Sequence, residues 1–308
     1  MTNTLSSHQV CEYLQQLKLP QPNSRKGDNG KLLIIGGSEL FHAASRWSLE
    51  VASRLVDMVF YSSVPSNNTL IKQAKLKFWD GIVVERNDLF SYLEEADCIL
   101  IGPGMVRSVL DLEYHHKNAG FYLKNPPSAQ DWQDNTQKIV NYLLAKFPQK
   151  KWAIDAGALQ MLDPALLNKN CIITPHQKEL EVLLSRLPPT NRQAALEKLD
   201  QNQSLSPLVN NSTVLLKGRV DQIHFQGKVL SVKGGNPGMT KGGTGDVLAG
   251  LVAGLYCNAS ALASTVSASH INKLAGDQLH KKVGSFFNAT DLAAQIPAAL
   301  WQAVNHCR

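Results

Sequence analysis

The 308-residue chain lacks most of the features that would assign it at once. Its five cysteines, Cys11, Cys98, Cys171, Cys257 and Cys307, form no CxxC pair and stand near no histidine at zinc-ligand spacing. They read as mostly buried free thiols of a reducing compartment. No GxxxxGK[ST] occurs and no GxGxxG follows an apolar run, which removes the main signatures of a Walker-type ATPase and of a dinucleotide-binding Rossmann domain. The N-terminus has no basic stretch followed by an apolar one, so nothing there reads as a secretory signal and a cytoplasmic protein is expected. Charge is never concentrated either. The net charge is +6, but basic residues gather only in short groups such as Lys72, Lys75 and Lys77, which suits anionic small molecules better than nucleic acid. Residues 247–269 carry no charge at all, yet serines, glycines and Asn258 dilute them and Asn258 and Ser260 interrupt them, so a pair of buried core helices is expected rather than a membrane span.

What is present is a globular composition, 44% hydrophobic and 18% charged, in a chain long enough for one large α/β domain or two small ones. An amphipathic helix at 8–17 and a connector with Pro20 and Pro22 precede a short apolar run at 31–38 that ends in Gly36-Gly37. Such a run fits a strand buried on both faces. A helix at 42–56 follows, and further strand candidates lie at 58–62, 82–85, 98–104, 151–155, 171–176 and 212–217, with helices near 135–146 and 178–187. Strands alternating with helices imply βαβ units and a mostly parallel sheet. Residues 220–232 read as a hairpin turning at Gln226-Gly227-Lys228, and only helices follow residue 254. The stretch 106–133, with Tyr114, His115, His116 and Trp132, is expected to be a long irregular loop; adjacent histidines share no helix face, so it reads as a solvated or assembly loop rather than a metal site.

The centre of the chemistry is 234–254, GGNPGMTKGGTGDVLAGLVAG. Gly242, Gly243 and Gly245 allow the backbone to approach an anion closely, and a helix starting near Gly245 would aim its unpaired amides and positive dipole end at the same point. Asp246 sits in that first turn. A lone Gly-Asp pair would be only a turn and a cap, but glycines, Thr240, Lys241 and Thr244 crowd around this acid, which favours an anion loop that carries a base.

One ordered series then becomes specific: Lys26-Gly27-Asp28 before Gly36-Gly37-Ser38, Ile101-Gly102-Pro103-Gly104, Asp155 before Ala158-Leu159, Thr174-Pro175-His176 with Glu179, Lys217-Gly218, and Asn236-Pro237-Gly238-Met239 through Gly242-Gly243-Thr244-Gly245-Asp246. Over residues 25–305 the chain resembles the ADP/ATP-dependent NAD(P)H-hydrate dehydratases of the ribokinase-like superfamily. The resemblance implies a three-layer α/β/α sandwich around a mostly parallel sheet, with 1–24 a helix and connector and 25–308 the dehydratase domain. It implies phosphorylation of the hydroxyl of hydrated NADH or NADPH by ADP, or by ATP, with Mg2+, and loss of phosphate to restore the ring. By the same resemblance Asp246 is the catalytic base, and Ala44, Gly104, His176 and Asp246 contact the hydrate. Lys217, Gly218, Arg219, Val220, Asp221, Gly243, Thr244 and Gly245 hold the nucleotide. Partners it implies are a separate epimerase and further copies of the chain, up to a tetramer, through the uncharged helices after Asp246. Three places depart from the family pattern: His42-Ala43-Ala44, Asp155-Ala156-Gly157 without a second acid, and Gln177-Lys178 after His176. Two other readings fit the same loop: a small-molecule kinase of this fold and a catalytically silent nucleotide-binding protein.

Overall fold

The computed structural model describes residues 3–107 and 117–308. Its strands are β1 Asn3–Thr4, β2 Lys31–Ile35, β3 Met58–Ser62, β4 Ile82–Val83, β5 Cys98–Ile101, β6 Lys151–Ile154, β7 Cys171–Ile173, β8 Thr213–Leu216, β9 Asp221–Phe225 and β10 Lys228–Val232. The helices are α1 Ser7–Leu14, α2 Ala43–Ala52, α3 Pro65–Ala74, α4 Leu89–Glu95, α5 Ala119–Lys124, α6 Asp131–Asp134 and α7 Thr136–Lys146. After them come α8 Ala156–Met161, α9 Gln177–Ser185, α10 Pro189–Asp200, α11 Thr244–Asn258, α12 Ala261–Val283 and α13 Ala289–His306.

All strands join one ten-stranded sheet in the order β1-β10-β9-β8-β7-β6-β5-β2-β3-β4. Only β9 runs against its neighbours, in the hairpin with β10 and beside β8. Apart from Lys31 and Lys151 at their starts, the central strands β2, β5, β6 and β7 are apolar and buried on both faces, because helices cover each side. Leu32, Ile34, Leu100 and Ala153 point to a core shared with α1, α2, α11, α12 and α13. Their alternates Leu33, Ile35, Ile99, Ile101 and Trp152 point to a second core with α4, α5, α7 and α8. This is the three-layer sandwich expected from the alternating pattern. The chain leaves β2 toward β3 on one side and reaches β5 on the other, so the order reverses between β2 and β5, where open α/β sheets hold ligands.

α11 lies across β2, β5 and β6 between α2 and α12. Its small residues make this possible: a Cβ on Gly250 would stand 2.6 Å from the Ser48 carbonyl of α2. Lys151, at the start of β6, closes the far end of α11 by donating to the carbonyls of Tyr256 at 2.9 Å and of Cys257 and Ala259 at 3.3 Å. The chain breaks at Asn258 and restarts under the Ser260 cap, as the sequence suggests. Among the described residues no helix is long and apolar enough to cross a membrane.

Several expectations are corrected. The 106–133 stretch is not a continuous irregular loop: α5 lies within it and α6 begins in it, and Trp132 packs edge-on against Phe90 and Tyr142. Tyr114, His115 and His116 fall outside the described residues. Cys11 and Cys307 are not free thiols but a disulfide, brought together by the packing of α1 on α12 and α13; Cys98, Cys171 and Cys257 are free and buried. Most of α11 and the first half of α12 is buried inside the chain. Residues 3–14 are built into the same sandwich, with β1 paired to β10 and Val10 and Leu14 in the α11 core.

Candidate active site

The site forms where strand ends meet the start of α11. Gly243 caps that helix with φ of 92°, a left-handed conformation in which a side chain would also collide with the Trp47 ring. Trp47 is fixed in turn by donating its Nε1–H to Thr290 Oγ1 at 3.0 Å. The loop before it is pinned from both sides. Thr244 Oγ1 donates to the carbonyls of Met239 at 2.7 Å and Lys241 at 2.9 Å, and Lys241 donates to the carbonyls of Ser285 and Phe287. The first intrahelical bond runs from Val247 N–H to Gly243 C=O at 3.0 Å and the Thr244 amide donates to Lys241 C=O at 3.4 Å, which leaves the Gly245 amide between them for an anion.

Asp246, one residue after that amide, is partly covered and ringed by charge. Its carboxyl is raised to about 7, first by burial and then by the neighbouring charge of Asp155, with Lys217 opposing the rise and Glu179 adding to it. Lys217 stands at the middle of this group. Its Nζ lies 2.9 Å from Asp155 Oδ1 and 3.7 Å from Glu179 Oε2. Burial by itself would lower the Lys217 ammonium, but Asp155 and Glu179 outweigh it and hold the group above its ordinary value. Main-chain pairing puts it there: Lys217 N–H donates to Pro175 C=O at 2.8 Å, and an isolated parallel bridge between His176 and Lys217 carries the β7–β8 pairing past the strand ends.

The other members of the cluster are held as firmly. Asp155 leaves the end of β6 and accepts from Thr174 Oγ1 at 2.7 Å. Ala156 directly after it has φ of 46°, a positive value costly for alanine. Glu179 and His176 form a reciprocal cap on α9. Glu179 Oε2 accepts the His176 amide at 2.9 Å, and His176 Nδ1 accepts the Glu179 amide at 3.2 Å. Gln160 donates to the other oxygen of Glu179 at 3.1 Å.

The second end of the site lies at the β2–β5 reversal. Gly37 donates its amide to Pro103 C=O at 2.7 Å, and a Cβ on Gly104, at φ of 74°, would stand 2.7 Å from Phe41 C=O and 3.1 Å from Gly37 Cα. Beneath these turns Ser45 and Tyr61 hydroxyls meet at 2.7 Å, and Asn67 donates to Tyr61 at 2.6 Å and to Ser63 at 2.9 Å. Ala44 is the second residue of α2, next to Ser45. One turn later Ser48 Oγ donates to Asp246 C=O at 2.8 Å and so joins the two ends.

The residues singled out from sequence thus divide. Asp246, Gly243, Thr244, Gly245, Lys217 and His176 converge on one place, Gly104 lies at the neighbouring strand reversal against Gly37 and Phe41, and Ala44 stands in the first turn of α2. Gly218, Arg219 and Val220 form an exposed tip beside β9. Asp221 is buried at the root of that tip, where it accepts the Gly218 amide at 2.9 Å and the Ser269 hydroxyl at 2.7 Å. The Lys217 side chain turns into the acid cluster rather than toward the tip. Asp155 and Glu179, quoted above only as motif residues, are structurally its nearest partners. Their positions just beyond the apolar strands β6 and β7 were the signal available in the sequence.

A profile of the NAD(P)H-hydrate dehydratase family matches residues 131–298, more than half of the chain. The chain belongs to that family. The ADP-dependent (S)-NAD(P)H-hydrate dehydratase of Nitrosopumilus maritimus is 31% identical over 312 aligned positions, covering 96% of each chain. The bifunctional NAD(P)H-hydrate repair enzyme of Methanocaldococcus jannaschii is 32% identical over 93% of this chain, which spans only 51% of that longer relative. Among solved structures, a ribokinase-like superfamily protein of Enterococcus faecalis superposes with a TM-score of 0.75 at 23% identity, over 98% of this chain and 96% of the other. The dehydratase family and the ribokinase-like fold expected from the glycine loop and its companion motifs are therefore both borne out.

Proposed function

We propose that this family member removes water from hydrated NADH and NADPH with the help of an adenine nucleotide, ADP more readily than ATP, and so returns the damaged cofactor to use. The observation that carries the reading is the placing of Asp246: a carboxyl poised near 7 in the first turn of α11, one residue beyond the Gly243-Thr244-Gly245 amides. In this scheme Asp246 takes the proton of the substrate hydroxyl as its oxygen bonds to the terminal phosphorus. The bond from that phosphorus to the nucleotide breaks, and the glycine-loop amides stabilise the charge on the transferring group. The phosphate ester then leaves with the C–O electron pair as the adjacent ring carbon gives up a proton. The sum is hydrate plus ADP to reduced cofactor, AMP, phosphate and a proton. Ala44, Gly104 and His176 hold the hydrate in this reading, and residues 217–221 line the nucleotide.

Mg2+ belongs to the same proposal. Among the described residues no group of three His, Cys, Asp or Glu side chains converges to form a metal cage, which fits an ion that arrives on the nucleotide phosphates and keeps most of its water. When bound it would neutralise phosphate charge. A separate epimerase, assembly of copies into a tetramer and a cytoplasmic location complete the reading. In a reducing compartment Cys11 and Cys307 would be thiols, and a thiol count on protein from cells measures this.

The deciding experiment incubates the purified protein with hydrated NADH and either ADP or ATP and follows reduced-nicotinamide absorbance. Its return with ADP faster than with ATP is expected. Binding of nucleotide but no return of absorbance with either ADP or ATP overturns the assignment in favour of a kinase of another substrate or a silent binder.

A further inference from the structure

One face of α12 carries Ser269, Lys273 and Asp277, spaced four residues apart and therefore stacked along the helix. Each of them reaches out of the helix to a loop. Lys273 is 5% exposed, and its ammonium donates to the carbonyls of Gly218 at 3.1 Å, Arg219 at 3.3 Å and Gly234 at 3.3 Å while lying 3.3 Å from Asp221 Oδ1. Ser269 donates to the other oxygen of Asp221 at 2.7 Å. Asp277 accepts the Gly235 amide at 3.0 Å and the Asn236 side-chain amide at 3.0 Å. The loop lies directly on the lysine because Gly234 and Gly235 have no side chains and positive φ: added Cβ atoms would sit 3.3 Å and 3.5 Å from Lys273 carbons. A single buried ammonium thus joins two separate segments. One is the 218–221 turn, whose other end is fixed by the Lys217 ion pairs. The second is the 234–236 start of the glycine stretch that runs into the anion loop and Asp246.

We infer that Lys273 is a positioning residue for the nucleotide: a tethered cation that sets the distance between the 218–221 turn and the glycine loop, with Ser269 and Asp277 fixing the two loops on either side of it. The inference rests on the nucleotide reading of these two segments. A buried ammonium that donates to three carbonyls and pairs with a carboxylate cannot be replaced by an apolar group without taking away the donor of those carbonyls and the countercharge of Asp221. The loops would then lose their mutual register although neither touches the reacting atoms through Lys273. Among the described residues no hydrogen bond or ion pair of Ser269, Lys273 or Asp277 goes to Gly37 or Gly104, where the hydrate end of the site is built.

The test measures ADP and ATP affinity by titration calorimetry, together with steady-state constants for nucleotide and hydrate, in the wild type, Lys273→Met and the milder Ser269→Ala. The expected result is a nucleotide Kd weakened about tenfold or more in Lys273→Met and roughly two- to fivefold in Ser269→Ala. The KM for hydrate and kcat at saturating nucleotide should stay within about threefold of wild type. Should either variant lose thermal stability yet bind nucleotide as tightly as wild type, or should both substrates weaken in parallel, Lys273 merely supports the fold and the inference is overturned. Should Lys273→Met not fold, Ser269→Ala decides alone. Absence of nucleotide binding by the wild type overturns the functional reading itself, whereas wild-type binding that the variants leave unchanged overturns only the role of Lys273.

Discussion

At the α11 end of the site, Asp155, Glu179, Lys217 and Asp246 crowd together, and the protein tolerates three acids around one lysine in a partly buried place. At the β2–β5 end the turns carrying Gly37 and Gly104 are joined by a backbone hydrogen bond and by neutral contacts among Ser45, Tyr61, Ser63 and Asn67. The first region is specified by electrostatics and the second by close approach of main chain. The difference tells which kind of change each can absorb. A charge cluster is sensitive to one atom of chemistry, such as oxygen for nitrogen in Asp246, but indifferent to small shifts. A glycine contact is sensitive to one carbon of volume and indifferent to pH.

The sharpest way to break this contrast is Asp246→Asn. Loss of the proposed base should lower kcat by roughly 10²–10⁴-fold, while nucleotide Kd changes less than about threefold. In the wild type the same carboxyl must be ionised to accept a proton, and its folded value is about 7. Therefore kcat/KM should fall as pH drops through that value and level off above it, a limb absent from the residual activity of the variant. Near-normal turnover by Asp246→Asn would remove the base from the α11 end altogether.

Next in size is Gly104→Ala. The added carbon meets backbone on two sides and the positive φ disfavours it, so a loss of about 1–3 kcal/mol in stability is expected from urea unfolding. The KM for hydrate should rise severalfold, with the nucleotide KM and the pH profile unmoved. A shifted pH limb would show that the two ends are not built independently.

The smallest effect separates two roles of His176. His176→Ala removes the cap acceptor of α9 and should cost on the order of 1 kcal/mol. His176→Asn keeps a cap acceptor and should recover that stability. If it also recovers the hydrate KM, the histidine only caps the helix; if the KM stays raised, the ring contacts substrate.

Much of this architecture is legible in the chain. The apolar runs that become β2, β3, β5, β6 and β7 are found within a few residues, because strands buried on both faces need nearly continuous apolar side chains. Their glycine and acid endings point to the ligand edge. α3 and α10 are not legible: α3 carries Ser, two Asn, Thr, Lys and Gln, and α10 buries only Ala195, so neither has a strong apolar stripe. The two-residue β1 is too short for any period. The Cys11–Cys307 bond joins residues 296 apart and follows from helix packing, not from spacing.

By itself the sequence determined that an anion loop precedes a helix with an acid in its first turn, since glycine conformation and helix polarity are local properties. The ordered motifs around that loop determined the family. Only the tertiary structure decided that Lys217 turns to Asp155 and Glu179, that Asp246 is pushed toward neutrality beside them, and that Lys273 ties two distant loops. Desolvation and charge–charge distance arise from β6, β7, β8, α11 and α12 being folded onto one another, and no spacing along the chain encodes them.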